Sequence, residues 1–87
     1  MHDTESIRSA VEHVINRVLT DTGRNSREFV DGDTLTGTIG MDSLDLAVMV
    51  VGLEQSLGID PFRAGAHPVQ TFGELVQLYE SSLGQSS

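Results

Sequence analysis

Three stretches of this chain place apolar residues three and four positions apart, the spacing of a helix with one face in a core. In the first, Ile7, Ala10, Val11, Val14 and Val18 recur with Arg8, Glu12, Asn16 and Arg17 elsewhere on the wheel, which predicts a helix over 4–21. Asp3 or Thr4 can cap its start, and Gly23 sits where a left-handed residue would end it. The second stretch runs from Ser43 to Leu57 and stops at Gly58. The third, Phe72, Leu75, Val76, Tyr79 and Leu83, follows Thr71-Phe72-Gly73-Glu74, the spacing of a capping box in which threonine and glutamate each satisfy a free backbone amide. Between the last two, Asp60-Pro61 predicts a short helix ending near Gly65, and Pro68 breaks the chain again. No alternating strand pattern competes. The expectation is an all-α fold, a small four-helix bundle of three longer helices plus one short helix III, with a long loop between helices I and II. A single domain covers 1–87, with 84–87 as a frayed tail.

At 87 residues the chain buries only about 60% of its unfolded surface, so a deep, fully enclosed active site is not expected. The absence of cysteine excludes disulfides, thiolate metal sites and cysteine nucleophiles, and the absence of lysine excludes Schiff-base chemistry. The longest apolar run, Leu46 to Val51, is too short to span a bilayer, and the polar, acidic N-terminus does not read as an export signal. These features predict a cytoplasmic protein without a membrane role, and a monomer is the expectation.

The net charge of −8 is unevenly placed. Residues 28–62 hold seven acids and no base, whereas the four arginines of residues 1–27 are balanced by four acids. An acidic middle repels nucleic acid and anionic membrane and steers basic partners toward it; a merely solvated surface is the plainer reading.

Residues 23–42 contain four glycines and no sustained period, so they read as a loop with Phe29, Val30, Leu35 and Ile39 as core anchors. A loop of that length in a compact domain usually serves a function. In the helix that follows, a wheel of about 100° per residue separates two apolar stripes. Leu46, Met49, Val50, Leu53 and Leu57 form one; Leu44, Ala47, Val48 and Val51 lie nearly opposite, with Asp45 and Glu54 between. A small bundle needs only the first stripe, so the second packs against the loop or faces a ligand or partner.

At the start of that helix stands Gly40-Met41-Asp42-Ser43-Leu44-Asp45, and Ser43 admits three readings. As a nucleophile it needs a base, but His2, His13 and His67 fall on a terminal tail, a polar helix face and a loop, and the G-x-S-x-G elbow is missing. As a cap, Asp42 or Ser43 precedes an apolar helical run, with Asp45 adding favourable charge in the first turn. As an attachment point, an exposed serine at a helix start can take a phosphodiester beside unpaired amides and the positive end of the helix dipole. A calcium loop is a poor fit: Asp31-Gly32-Asp33 opens like one, but Leu35 and Thr36 stand where an oxygen ligand and the turn glycine belong.

The run from Asp33 to Asp60, "DTLTGTIGMDSLDLAVMVVGLEQSLGID", with "TFGELVQLY" after it, resembles the acyl carrier protein family. The resemblance covers Asp33 to Tyr79, with Leu35 and Ile39 at the family's apolar loop positions, Gly40 at its glycine and Asp42-Ser43-Leu44-Asp45 on its motif. It implies that Ser43 carries a 4'-phosphopantetheine arm taken from coenzyme A by a phosphopantetheinyl transferase, with Asp42 helping that enzyme recognise the site. It also implies that Leu44, Ala47 and Val51 meet partners or line an acyl cleft, and that Asp45 and Glu54 steer the carrier onto basic surfaces. The partners would be an acyl-activating enzyme, a ketosynthase or an acyltransferase.

Two departures stand out. Val48 takes a place usually held by glutamate, and the Pro61-Phe62-Arg63-Ala64 stretch is not acidic. They predict an accessible Val48 and a more apolar partner surface. The function expected is that of an acyl carrier in fatty-acid, polyketide or other specialised acyl metabolism, with no catalysis of its own. A peptidyl or aminoacyl carrier, and an unmodified helical interaction module of the same fold, are the alternatives.

Overall fold

The computed structural model describes residues 4–84, with side chains from residue 6 onward; the expected Asp3 cap and tail residues 85–87 lie outside this range. The described residues form three helices: α1 (Thr4–Asp21), α2 (Ser43–Leu57) and α3 (Phe72–Gly84). α1 packs closely against both of the others; the backbones of α2 and α3 do not approach each other as closely, though side chains of all three helices share one core. This division explains why α1 buries a wider stripe than its spacing suggested. Ile15 and Leu19 join Ile7, Val11, Val14 and Val18 in the core, and Ala10 is only partly covered. Burial of each such side chain contributes about 1.5–3 kcal/mol, and truncating Ile15 to alanine would forfeit about 2–5 kcal/mol with the cavity included. On the α2 side the helices approach closely at Gly52, where a Cβ would stand 2.9 Å from Val14 Cγ1.

The short helix expected over residues 60–65 is not formed; residues 61–65 are a run of turns. The cap is there, since Asp60 Oδ1 accepts from the amides of Phe62 and Arg63, both at 3.1 Å. A single helical hydrogen bond follows, from the Ala64 amide to the Asp60 carbonyl at 3.3 Å, before Gly65 and Ala66 donate to Phe62 and Pro61 instead. Nucleating a helix costs more than one turn returns, and Pro68 leaves no room to propagate. The stretch fills the space between α2 and α3 by other means: Pro61 is buried, and Phe62 packs edge-on against Tyr79 with centroids 6.4 Å apart. Tyr79 is fully enclosed and its hydroxyl has no hydrogen-bond partner among the described residues. Burial, then the charges of Asp60 and Glu54, push that phenol up to about 12, so it stays neutral.

The connection between α1 and α2 is pinned rather than slack. Thr34 and Thr71 form an isolated antiparallel bridge, with Leu35 donating to the Gln70 carbonyl at 2.9 Å and Phe72 to Asp33 at 2.8 Å. Phe29 is buried against Phe72 with ring centroids 5.4 Å apart, and Leu35, Ile39 and Met41 enter the same core. Val30, expected as an anchor, is instead 65% exposed. Its amide donates to Asp33 Oδ2 and its carbonyl accepts from the Asp33 amide, a turn in which Phe29 takes the inward position and its neighbour faces water. Met41, which the sequence reading passed over, fills the interior instead.

Candidate functional site

The start of α2 is built from four consecutive devices. Gly40 turns the chain with φ +87°, a left-handed conformation that an L side chain rarely adopts. A Cβ there would meet nothing closer than 3.9 Å, so backbone conformation rather than space is what requires glycine. Met41 then anchors inward, 2% exposed. Asp42 is the cap: its Oδ1 accepts from the Asp45 amide at 2.9 Å, and its own amide donates to Asp45 Oδ2 at 3.2 Å. Ser43 is the first residue of the helix and is exposed. Its hydroxyl has no hydrogen-bond partner among the described residues, and neither it nor Leu44 has an acceptor for its amide there. The cap is therefore Asp42, and Ser43 is left open with two free N–H groups beside it.

Asp45 departs from the expectation that it would face partners. It is 6% exposed, and Arg24 covers it: Nη2 lies 2.6 Å from Asp45 Oδ2, while Nη1 donates to the Gly40 carbonyl, also at 2.6 Å. Thr22 Oγ1 accepts from the same guanidinium at 2.8 and 3.0 Å. The bond from Arg24, followed by that from the Asp42 amide, outweighs burial and holds the Asp45 carboxyl below the ordinary aspartate range. Sequence reading missed Arg24. The only signal was indirect, a segment of seven acids with no base that needs cations from elsewhere.

Those cations arrive throughout. Arg8 meets Asp31 at 2.6 Å, Arg27 meets Asp33 at 3.6 Å, and Arg63 forks onto Glu54 at 3.1 and 3.2 Å while reaching Asp60 at 3.7 Å. Five of the seven acids in residues 28–62 thus face an arginine, which leaves Glu28 and Asp42. The acidic middle seen in the sequence is largely compensated in the fold. Glu54, the other charge expected to steer partners, is half-buried and held by Arg63.

The second apolar stripe of α2 faces outward. Leu44 is 72% exposed, Val48 50% and Val51 54%, and Ala47 is also exposed. Gln55 and Ser56 complete that surface, so no exposed residue of α2 carries a charge. Val48 and Val51 border a groove of about 290 Å³ shared with His13, Val14, Arg17 and Val18 of α1. A separate cavity of about 240 Å³, almost wholly apolar, opens on the other side of the helix between Leu46, Met49 and Val50 and the turns at Phe62, Pro68 and Val69. Neither Leu44, Ala47 nor Val51 lines it. Ser43 stands one turn before Leu46 and two before Val50, on the same side of α2.

Among proteins of known name, an acyl carrier protein of Thermotoga maritima is 30% identical over 84 residues, covering 97% of this chain and the whole of that protein. Acyl carrier protein 2, chloroplastic, of Hordeum vulgare is 28% identical over 78 residues, covering 90% of this chain and 60% of the relative's length. No family model and no solved structure matches. Coverage of the bacterial relative from end to end decides the matter: this chain belongs to the acyl carrier protein family.

Proposed function

We propose that the protein carries acyl groups as thioesters on a 4'-phosphopantetheine arm attached to Ser43. The observation that carries this reading is an exposed, unpartnered serine hydroxyl at the capped start of α2 in a chain of this family. The site's chemistry fits the group. Ser43 Oγ needs no local base, because a phosphopantetheinyl transferase removes its proton as the oxygen bonds to phosphorus and the nucleotide portion of coenzyme A leaves. The free amides of Ser43 and Leu44 would face the phosphodiester, at a helix end whose dipole favours negative charge. Asp42 presents its outer edge to the transferase while its inner oxygen holds the cap. When bound, the arm supplies a terminal thiol that forms and releases thioesters.

The cavity bordered by Leu46, Met49 and Val50 suits an apolar acyl chain folded back from Ser43. Leu44, Ala47, Val48 and Val51 form the face that acyl-activating, ketosynthase or acyltransferase partners meet, and it is apolar because Asp45 and Glu54 are occupied by arginines. Fatty-acid, polyketide or other specialised acyl metabolism would each employ such a carrier.

Incubation with coenzyme A and a broad-specificity transferase, followed by intact mass measurement, tests the assignment. The wild-type chain gains one arm and Ser43→Ala gains none. A gain in both variants places the attachment elsewhere. A gain in neither makes the chain an unmodified interaction module of the same fold.

A further inference from the structure

Arg24 touches two parts of the attachment site that are otherwise held only by local bonds. One arm of its guanidinium binds the Gly40 carbonyl, immediately after the left-handed turn, and the other binds Asp45, the residue that closes the cap on Asp42. Ser43 lies between these two contacts. Behind them, Thr22 fixes the guanidinium through two bonds and returns its own hydroxyl proton to the Val18 and Leu19 carbonyls at the end of α1. A continuous path therefore runs from the last turn of α1 through Arg24 to both flanks of Ser43. Nothing within residues 28–62 can replace it, because that stretch contains no base, and Arg24 is Asp45's ion-pair partner among the described residues.

We propose that Arg24 is the positioning residue of the attachment site: by bridging the Gly40 carbonyl and the buried Asp45 carboxylate it holds the Asp42-Ser43 step in the geometry a transferase uses. This rests on Ser43 being the modified residue. The guanidinium suits the role because its donors leave in fixed directions and engage two acceptors at once; an ammonium is a single point of charge. It also neutralises the carboxylate two residues from the serine, which would otherwise oppose the arriving phosphodiester.

The test separates positioning from simple charge balance. Asp45→Asn removes the buried charge while keeping an oxygen that Arg24 can still hold, so transfer from coenzyme A proceeds near the wild-type rate. Adding Arg24→Ala to Asp45→Asn leaves no unpaired buried charge, so the chain folds, yet both bridges are gone. In that double variant kcat/KM for transfer falls about tenfold, with the loss in kcat, as expected when a reacting hydroxyl is misoriented. Arg24→Lys recovers part of the loss. A folded double variant modified at the wild-type rate overturns the proposal.

Amide hydrogen exchange at Met41, Asp42 and Asp45, the bonded amides around Ser43, gives a second reading that needs no transferase. Exchange rises in the double variant and not in Asp45→Asn; equal protection in both overturns the clamp. If the wild-type chain accepts no arm, the assignment of Ser43 fails by itself, and exchange alone decides what Arg24 does.

Discussion

Two helices of this molecule begin with the same device and depend on different things. At α3, Thr71 Oγ1 accepts from the Glu74 amide at 3.1 Å while Glu74 Oε1 accepts from the Thr71 and Gln70 amides at 3.1 and 3.0 Å. Glu74 is exposed, and those local bonds, the Gln70 amide first, hold its carboxyl below the ordinary glutamate range. At α2 the reciprocal pair is Asp42 and Asp45, but Asp45 is buried and needs an arginine from 21 residues earlier in the chain. A cap that faces water is a property of four residues. A cap that faces the core is a property of the fold.

The sharpest way to break this comparison is Arg24→Ala alone, which strands the Asp45 carboxylate in the interior. Thermal denaturation followed by circular dichroism should show a larger fall in Tm than any change at the α3 cap, and adding Asp45→Asn should recover most of it. Next in size is Gly73→Ala. A Cβ at that position would stand 2.7 Å from Asp31 Cβ and 3.1 Å from its Cα, so backbone must move, at about 1–3 kcal/mol in urea denaturation. Thr71→Ala, which removes only the α3 cap acceptor, should cost about 1 kcal/mol by the same measurement.

Acid titration compares the carboxylates directly. Asp45 and Glu74 both have folded-state pKa values below their unfolded ones, so each contributes stability that is complete above the unfolded pKa. That contribution is lost as pH falls through the ordinary carboxylate range toward the folded value. Asp45→Asn and Glu74→Gln should therefore each flatten the acid side of the stability profile. The smallest effect belongs to the outer face of α2, where Val48→Ser should change stability by no more than about 0.5 kcal/mol while weakening association with a partner enzyme.

The same contrast explains what could be read before any coordinates. The Thr71 and Glu74 box, the three long helices and the open Ser43 are set by residues within a turn or two of each other, and all were legible. Counting stripes on α2 left Val48 facing either the loop or solvent, and its place at a position where the family usually has glutamate is what predicted the exposure seen. Asp45 was misjudged because its burial depends on Arg24, whose reach across the chain leaves no local pattern. The turns over 61–65 failed as a helix although the cap was visible, because a single turn stopped by Pro68 does not repay the cost of nucleation. Val30 faces water because the turn closed by Asp33 places Phe29 inward instead, an outcome set by a side-chain bond that apolar spacing does not register.

The wider spacing of the α2 and α3 backbones has a mechanical meaning. Where every pair of helices interlocks, admitting a guest strains each seam at once. Here α1 keeps its grip on both neighbours, and residues 59–70 run between them, tied to α2 by the Arg63–Glu54 pair and to the first loop by the Leu35–Gln70 bond. An acyl chain entering the proposed cavity would meet turns rather than a helix on that side, so the wall facing α2 there lacks a helical ladder of hydrogen bonds.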